Sequence, residues 1–214
     1  MKKITDATLD AMRTELTRHL SGHRLEHSLA VENEAHLLAT LFGLSEQDTF
    51  KLRCAAILHD VTKALDTMKQ ISLCKEYGIS VSLDDIGSPK VLHSITGAEM
   101  AKRLFPDYVD SEIYSMIRSH TTGKVGMTVP EKLLYLADYI EPTRTFPDCV
   151  RLRGYFYESD SLPTEKHLNK TLLLSFDMTL NVLLSENQQI HPMTVLARNS
   201  IIDELNLKNK GIYK

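Results

Sequence analysis

The sequence predicts an all-α fold, a single-domain helical bundle, and three observations carry that expectation. Apolar residues recur at three- and four-residue steps through nearly every segment, the period of a helix with one buried face. No alternating or β-branched stretch reads as a strand. With 9 glycines and 7 prolines in 214 residues, and no Ser/Gly/Pro-rich run, charge block or repeat, nothing divides the chain. At 43% hydrophobic it can bury one sizeable core, so one domain over residues 1–214 is expected.

The elements follow in chain order. Thr5–Leu20 is amphipathic through Leu9, Met12, Leu16 and Leu20, and Ser21-Gly22 breaks it. A second helix spans His23–Phe42, closed by Gly43 at its C′ position, where the left-handed backbone suits glycine. Ser45, with Asp48 three residues on, caps the helix that runs into His59-Asp60. Thr67–Tyr77 is a shorter helix ended by Gly78, and Gly78–Lys90 has no period and reads as a loop. Helices resume over His93–Phe105 and Asp110–His120, the latter with Asp110 as N-cap. Thr121–Thr128 is a polar, glycine-containing loop directly after His120. Pro130 fits the first turn of a helix carrying Leu133, Leu134, Leu136, Ala137 and Asp138. Pro163–Leu184 is long and apolar-periodic, and Thr194 is placed as the cap of a last helix through Leu205.

Composition narrows the function. A net charge of −3 gives no bulk attraction for DNA or RNA, so an anionic substrate must be held by local cations or a metal. Cys54, Cys74 and Cys149 are odd in number and lack a CxxC pair, which predicts reduced thiols in a cytoplasmic protein. Lys2-Lys3 is followed by polar residues rather than an apolar signal region, and no stretch reaches membrane-span length. A homodimer is left open.

Polar residues sit where apolar ones belong. His27 shares a helical face with Val31 and Leu38, and His59 with Leu52 and Ala55. His120 follows Ile113, Met116 and Ile117, and Asp138 follows Leu134 and Tyr135, again on one face. His93 and Asp60 complete a series H…HD…H…H…D. One buried histidine is most often a hydrogen-bonded core residue, and Asp138 alone could pair with Arg144 or Arg153. Carboxylates buried together are costly, and a bound cation removes that cost. Imidazole and carboxylate donors without thiolate suit a divalent transition metal: iron, manganese, cobalt, nickel or zinc. Cations lie beside these residues. Lys63 would fall one turn along the same face as His59 if that helix continued; Arg24 precedes His27 by three, and Arg144 follows Asp138 after a turn. Lys and Arg beside a metal form a cradle for phosphoryl oxygens.

Together these residues bring a family into view. Arg24-Leu-Glu-His27, Leu58-His-Asp-Val-Thr-Lys63, His93-Ser-Ile-Thr-Gly-Ala-Glu99 and Ile117-Arg-Ser-His-Thr-Thr-Gly123 match the HD-domain metal phosphohydrolases, as does Leu136-Ala-Asp-Tyr-Ile-Glu-Pro-Thr-Arg-Thr-Phe-Pro147. With Ile190-His-Pro-Met-Thr-Val-Leu-Ala-Arg-Asn199, the chain resembles the YqeK-type branch, the symmetrical diadenosine tetraphosphate hydrolases, over about residues 20–203.

The resemblance implies an HD-type bundle with the metal, often iron, held by His27, His59, Asp60 and Asp138. It implies that His93 and His120 line the phosphate site or, in two-metal relatives, hold a second ion. Ser94 stands where a glycine often follows the histidine and leaves these roles intact. The implied reaction cleaves diadenosine tetraphosphate at its central anhydride to two ADP. Asp60, Lys63, His93 and His120 are the expected catalytic residues, and Arg24, Lys63, His93, His120, Thr121, Gly123 and Arg144 the expected substrate-binding ones. Another HD nucleotidase or nucleotide pyrophosphohydrolase is the alternative, and a non-catalytic HD signalling module the more distant one.

Overall fold

Side-chain caps set several helix starts. Ser45 Oγ accepts the Asp48 amide at 3.1 Å, and one Asp110 carboxylate oxygen accepts the amides of Glu112 and Ile113 at 3.0 Å. Thr128 and Glu131 form a reciprocal capping box. The computed structural model describes residues 1–158 and 163–209. The helices are α1 (Asp6–Leu16), α2 (His23–Leu41), α3 (Glu46–Leu58), α4 (Thr67–Glu76), α5 (Leu83–Gly87), α6 (Leu92–Leu104), α7 (Ser111–Ser119), α8 (Val129–Ile140), α9 (Pro147–Tyr157), α10 (Glu165–Ser185) and α11 (Pro192–Asn209). A turn of 3-10 helix over Pro89–Val91 leads into α6. The described residues contain no strand, so the all-α expectation holds.

The third helix is the axis of the bundle. Cys54, Ala55, Ala56, Ile57 and Leu58 expose no surface, because α1, α2, α6, α7 and α8 all pack against α3. Fully burying a side chain such as Leu58 contributes roughly 1.5–3 kcal/mol. Four of the neighbours, α2, α6, α7 and α8, carry the remaining site residues, so packing on α3 gathers them around its C-terminal end. A smaller apolar cluster of Cys74, Val91, Leu92 and Ile95 joins α4 to α6. Among the described residues no helix is long and apolar enough to cross a membrane, and the three cysteines are free and buried.

Four local expectations need correction. The first helix stops at Leu16, although Leu20 is still buried beyond the turn. The segment Gly78–Lys90 is not simply a loop: a Ser82–Asp85 capping box starts α5 within it, an element too short to show a period. Helix α3 does not continue past His59. The chain instead turns, with the Lys63 amide on the Asp60 carbonyl at 2.8 Å. Thr194 is not a cap, since α11 starts at Pro192 and the Met193 amide donates to His191 Nδ1 at 3.1 Å. Helix α9, for which no element was expected, buries Cys149, Leu152 and Phe156 on one face between charged and aromatic neighbours that mask the period.

Candidate metal centre

His27, His59 and His120 each enter the centre with one ring nitrogen already committed. His59 Nδ1 and His120 Nδ1 sit 2.7 Å from the carbonyls of Ala56 and Ile117, the open carbonyls of their own helix ends. His27 Nδ1 sits 3.0 Å from Glu141, which is fully buried. A carboxylate or carbonyl on Nδ1 fixes the tautomer and turns Nε2 toward the interior, as histidines that ligate metals require. The loops are held as firmly. Thr62 Oγ1 donates to the His93 carbonyl at 3.0 Å, and Gln70 donates to the Thr62 carbonyl at 2.6 Å while accepting from Thr96. This buried network fixes the 59–63 turn against α6. Gly97 permits the close approach, because a Cβ there would meet the His59 carbonyl at 3.3 Å.

The Nε2 atoms and carboxylates then converge. His27 Nε2 is 2.9 Å from Asp138 Oδ1 and 4.0 Å from Asp60 Oδ2, and His59 Nε2 is 3.8 and 3.7 Å from those same oxygens. Donors bound at about 2.1 Å to one ion lie roughly 3–4 Å apart, so these separations fit a shared cation. Two overlapping triads meet the metal-ligand spacing, His27–His59–Asp138 and His59–Asp60–His120, with His59 common to both. His93 Nε2 completes the second group at 3.0 Å from His120 Nε2 and 3.1 Å from Asp60 Oδ1. His59 Nε2 and Asp60 Oδ1 are buried without an aligned hydrogen bond. Orphaned atoms of this kind are costly, and a cation between them satisfies both.

The electrostatics match. Despite burial, the imidazoles of His59, His120 and His93 and the Lys63 ammonium hold the Asp60 carboxyl well below its usual range. Asp138, partly buried, is likewise held low, by Arg144 and His27. Burial opposes a charge on His27, but hydrogen bonds to Asp138 and Glu141 outweigh it and raise its pKa to about 9. Burial lowers His59 and His93 to about 4, so both are neutral at about pH 7.

The other expected site residues are placed as follows. Lys63 Nζ lies 3.0 Å from His93 Nε2 and 3.6 Å from Asp60 Oδ1, reached through the turn rather than along a helix. Arg144 contacts Asp138 Oδ1 at 2.6 Å, whereas Arg153 donates to the carbonyls of Ile140, Glu141 and Arg144 and is structural. Arg24, exposed at the start of α2, shares a recess with His27, Asp60, Lys63 and Arg144. Thr121 Oγ1 is 3.2 Å from both His93 Nε2 and His120 Nε2. Gly123 has φ +67°, and its missing Cβ would strike Phe176 and Ala197, so it turns the chain against the core. Ser94 is buried and donates to the Val91 carbonyl at 2.8 Å. Glu141 and the Thr62–Gln70–Thr96 network were not anticipated. Glu141 lay in plain view within the Asp138–Pro142 stretch, while nothing local marks the network.

Comparison with known proteins agrees with this centre. The HD domain family model matches residues 24–143, more than half the chain. The chain belongs to the HD-domain family. It is 36% identical over 187 residues to the symmetrical bis(5′-nucleosyl)-tetraphosphatase of Bacillus subtilis (strain 168), covering 86% of this chain and 92% of that one. The protein of the same name from Halalkalibacterium halodurans is 34% identical, with 87% and 92% covered. A crystal structure of an HD superfamily hydrolase from Clostridium acetobutylicum, described as involved in NAD metabolism, superposes with a TM-score of 0.79 at 34% identity, covering 91% of this chain and 97% of that one. Membership implies a divalent metal, and the two triads supply fitting donors.

Proposed function

We propose that this HD-domain protein is a metal-dependent hydrolase that cleaves diadenosine tetraphosphate symmetrically to two ADP. The observation that carries the chemistry is the pair of unsatisfied buried atoms, His59 Nε2 and Asp60 Oδ1, on adjacent residues that belong to one triad with metal-ligand spacing. The names of the Bacillus and Halalkalibacterium relatives, similar over most of their length, support the substrate.

In this reading His27, His59, Asp60 and Asp138 would hold one ion, and His120 and His93 would face the phosphates beside it. Such an ion, which we take to be iron from the family resemblance and the nitrogen–oxygen donor set, would supply Lewis acidity toward a phosphoryl oxygen and a bound water. Asp60 Oδ1 orients the attacking water, whose oxygen joins an inner phosphorus as the central anhydride bond breaks. Lys63, Arg144 and Arg24 bind the tetraphosphate and balance charge on its non-bridging oxygens, while Thr121 donates a hydrogen bond. The leaving group is ADP, a weakly basic phosphate oxygen, so no strong general acid is required. Phe146, 65% exposed beside Arg144, offers a ring to one nucleobase, whereas Tyr139 packs against the core. Three buried free thiols accord with a cytoplasmic protein.

Product analysis tests the proposal. Metal-loaded protein given diadenosine tetraphosphate is expected to release ADP alone. Formation of ATP with AMP, or release of orthophosphate from a mononucleotide in place of this reaction, overturns it and supports the nucleotidase reading.

A further inference from the structure

A substrate identical on both sides of the bond that is cut needs room for a nucleoside on each side of the reacting phosphorus. Three recesses lie beside the metal centre and are linked in series by shared lining residues. The first, about 540 Å³, is bounded by Arg24, His27, Asp60, Lys63, Arg144 and Phe146. The second, about 310 Å³, shares Lys63 and adds His93, Pro89 and Lys90. The third, about 510 Å³, shares Pro89 and Lys90 with the second and reaches the centre through Thr121. The second recess therefore adjoins the other two, with Lys63 at one junction and Lys90 at the other. Both end recesses have volumes in the range of small-molecule sites, roughly 300–1,000 Å³.

The two ends differ in chemistry. The first is highly charged, with two arginines and a lysine beside three carboxylates and an exposed aromatic ring. The third is mostly apolar, walled by Leu183 and Thr179 of α10 and by Pro89 and Val91, with the side-chain amides of Gln188 and Gln189 at its edge. Contacts tie its two sides together: Lys90 Nζ donates to Gln188 Oε1 at 3.3 Å, and His191 Nε2 pairs with Asp85 at 3.2 Å. The stretch Ile190–Asn199, which has no part in the metal centre, contributes His191 and Thr194 to this wall.

We infer that the third recess seats the second nucleoside of the substrate. Its apolar wall covers the face of the base, the glutamine amides meet the base edge, and Lys90 joins Lys63 on the polyphosphate. The inference rests on symmetrical cleavage of a dinucleoside tetraphosphate, as proposed above. A symmetrical substrate then occupies an asymmetrical site, and the two bases are held by different means.

Two variants test this. Leu183→Trp fills the recess from α10, and Gln189→Ala removes one of the amides assigned to the base edge, on an exposed side chain. Parent and variants, all metal-loaded, are compared on diadenosine tetraphosphate and on adenosine 5′-tetraphosphate, which carries one nucleoside and the same four phosphates. ADP binding is measured by calorimetry. The kcat/KM preference for the dinucleotide is expected to fall by about tenfold or more in Leu183→Trp and about threefold in Gln189→Ala, through KM. Bound ADP is expected to drop from two per chain in the parent to one in Leu183→Trp. If the preference survives in the folded variants, the recess is not a nucleoside seat, and Gln189→Ala alone decides should Leu183→Trp fail to fold. A parent that forms no ADP from diadenosine tetraphosphate refutes the reaction itself, and the inference falls with it.

Discussion

Around Asp138 the charged atoms already have protein partners, whereas around Asp60 the partners run short. Asp138 Oδ1 receives Arg144 at 2.6 Å and His27 at 2.9 Å, and His27 is in turn held by buried Glu141. On the other side Asp60 Oδ1 has imidazole nitrogens at 3.1 and 3.6 Å but no aligned hydrogen bond, and His59 Nε2 has none either. One side is therefore balanced by an arginine and by a proton on His27, which an incoming ion must displace. The other is set by the packing of α3 against α6 and α7, with the Lys63 ammonium 3.6 Å from Asp60 Oδ1. Metal affinity and catalysis should accordingly respond differently to changes on the two sides.

The largest effect is expected on the Asp60 side. Asp60→Ala should abolish turnover and lower bound metal while circular dichroism still reports a helical protein. Near-normal rates in metal-replete Asp60→Ala would end the proposed mechanism. Next comes His93→Ala, expected to keep about one ion per chain and lose most activity, as a phosphate-facing residue would. Two ions in the parent, one in the variant, and rescue by excess metal would instead make His93 a ligand.

On the Asp138 side, Glu141→Gln keeps the shape of the His27 partner and removes its charge. Metal affinity should fall by about tenfold, at the lower end of what outer-shell partners usually contribute. An unchanged dissociation constant would show that Glu141 only braces the turn through its bond to the Thr143 amide. Lys63→Met should leave metal content alone and reduce kcat/KM by about tenfold, equivalent to about 1.4 kcal/mol of transition-state stabilisation. No change would move the phosphate cradle elsewhere.

The smallest effect is a proton count. His27, with its pKa raised to about 9, is protonated at neutral pH and must be neutral to ligate, whereas His59 and His93, lowered to about 4, are neutral already. Metal uptake near neutral pH should release about one proton per chain, and affinity should rise with pH until about 9. Calorimetry in buffers of different ionisation enthalpy measures that release, and a count of zero would place His27 neutral before the metal arrives. In the metal-free protein the raised pKa of His27 stabilises the fold fully below the unfolded histidine value of about 6.5. That contribution is lost as the pH climbs through about 9.

The sequence by itself determined the helices that are long and periodic, their caps at Ser45 and Asp110, and the set of polar residues on apolar faces. These signals are local: a cap binds an amide two or three residues away, and a face repeats every three or four residues. It did not reveal the cap at Thr128, or α5, a five-residue helix started by a capping box, or α9, whose apolar stripe is interrupted by arginine and glycine. Only the tertiary structure decided how the ligands divide. His27 and Asp138 come together because α2 and α8 pack side by side, 111 positions apart in the chain. His120 joins Asp60 because α7 ends against α3, and Lys63 reaches His93 because the helix stops at Leu58 and the chain turns. Glu141 becomes a partner of His27 only once α8 has carried it there. Periodicity tells which side of a helix is buried, but the neighbour that a buried polar atom meets depends on how the helices cross and where each one ends.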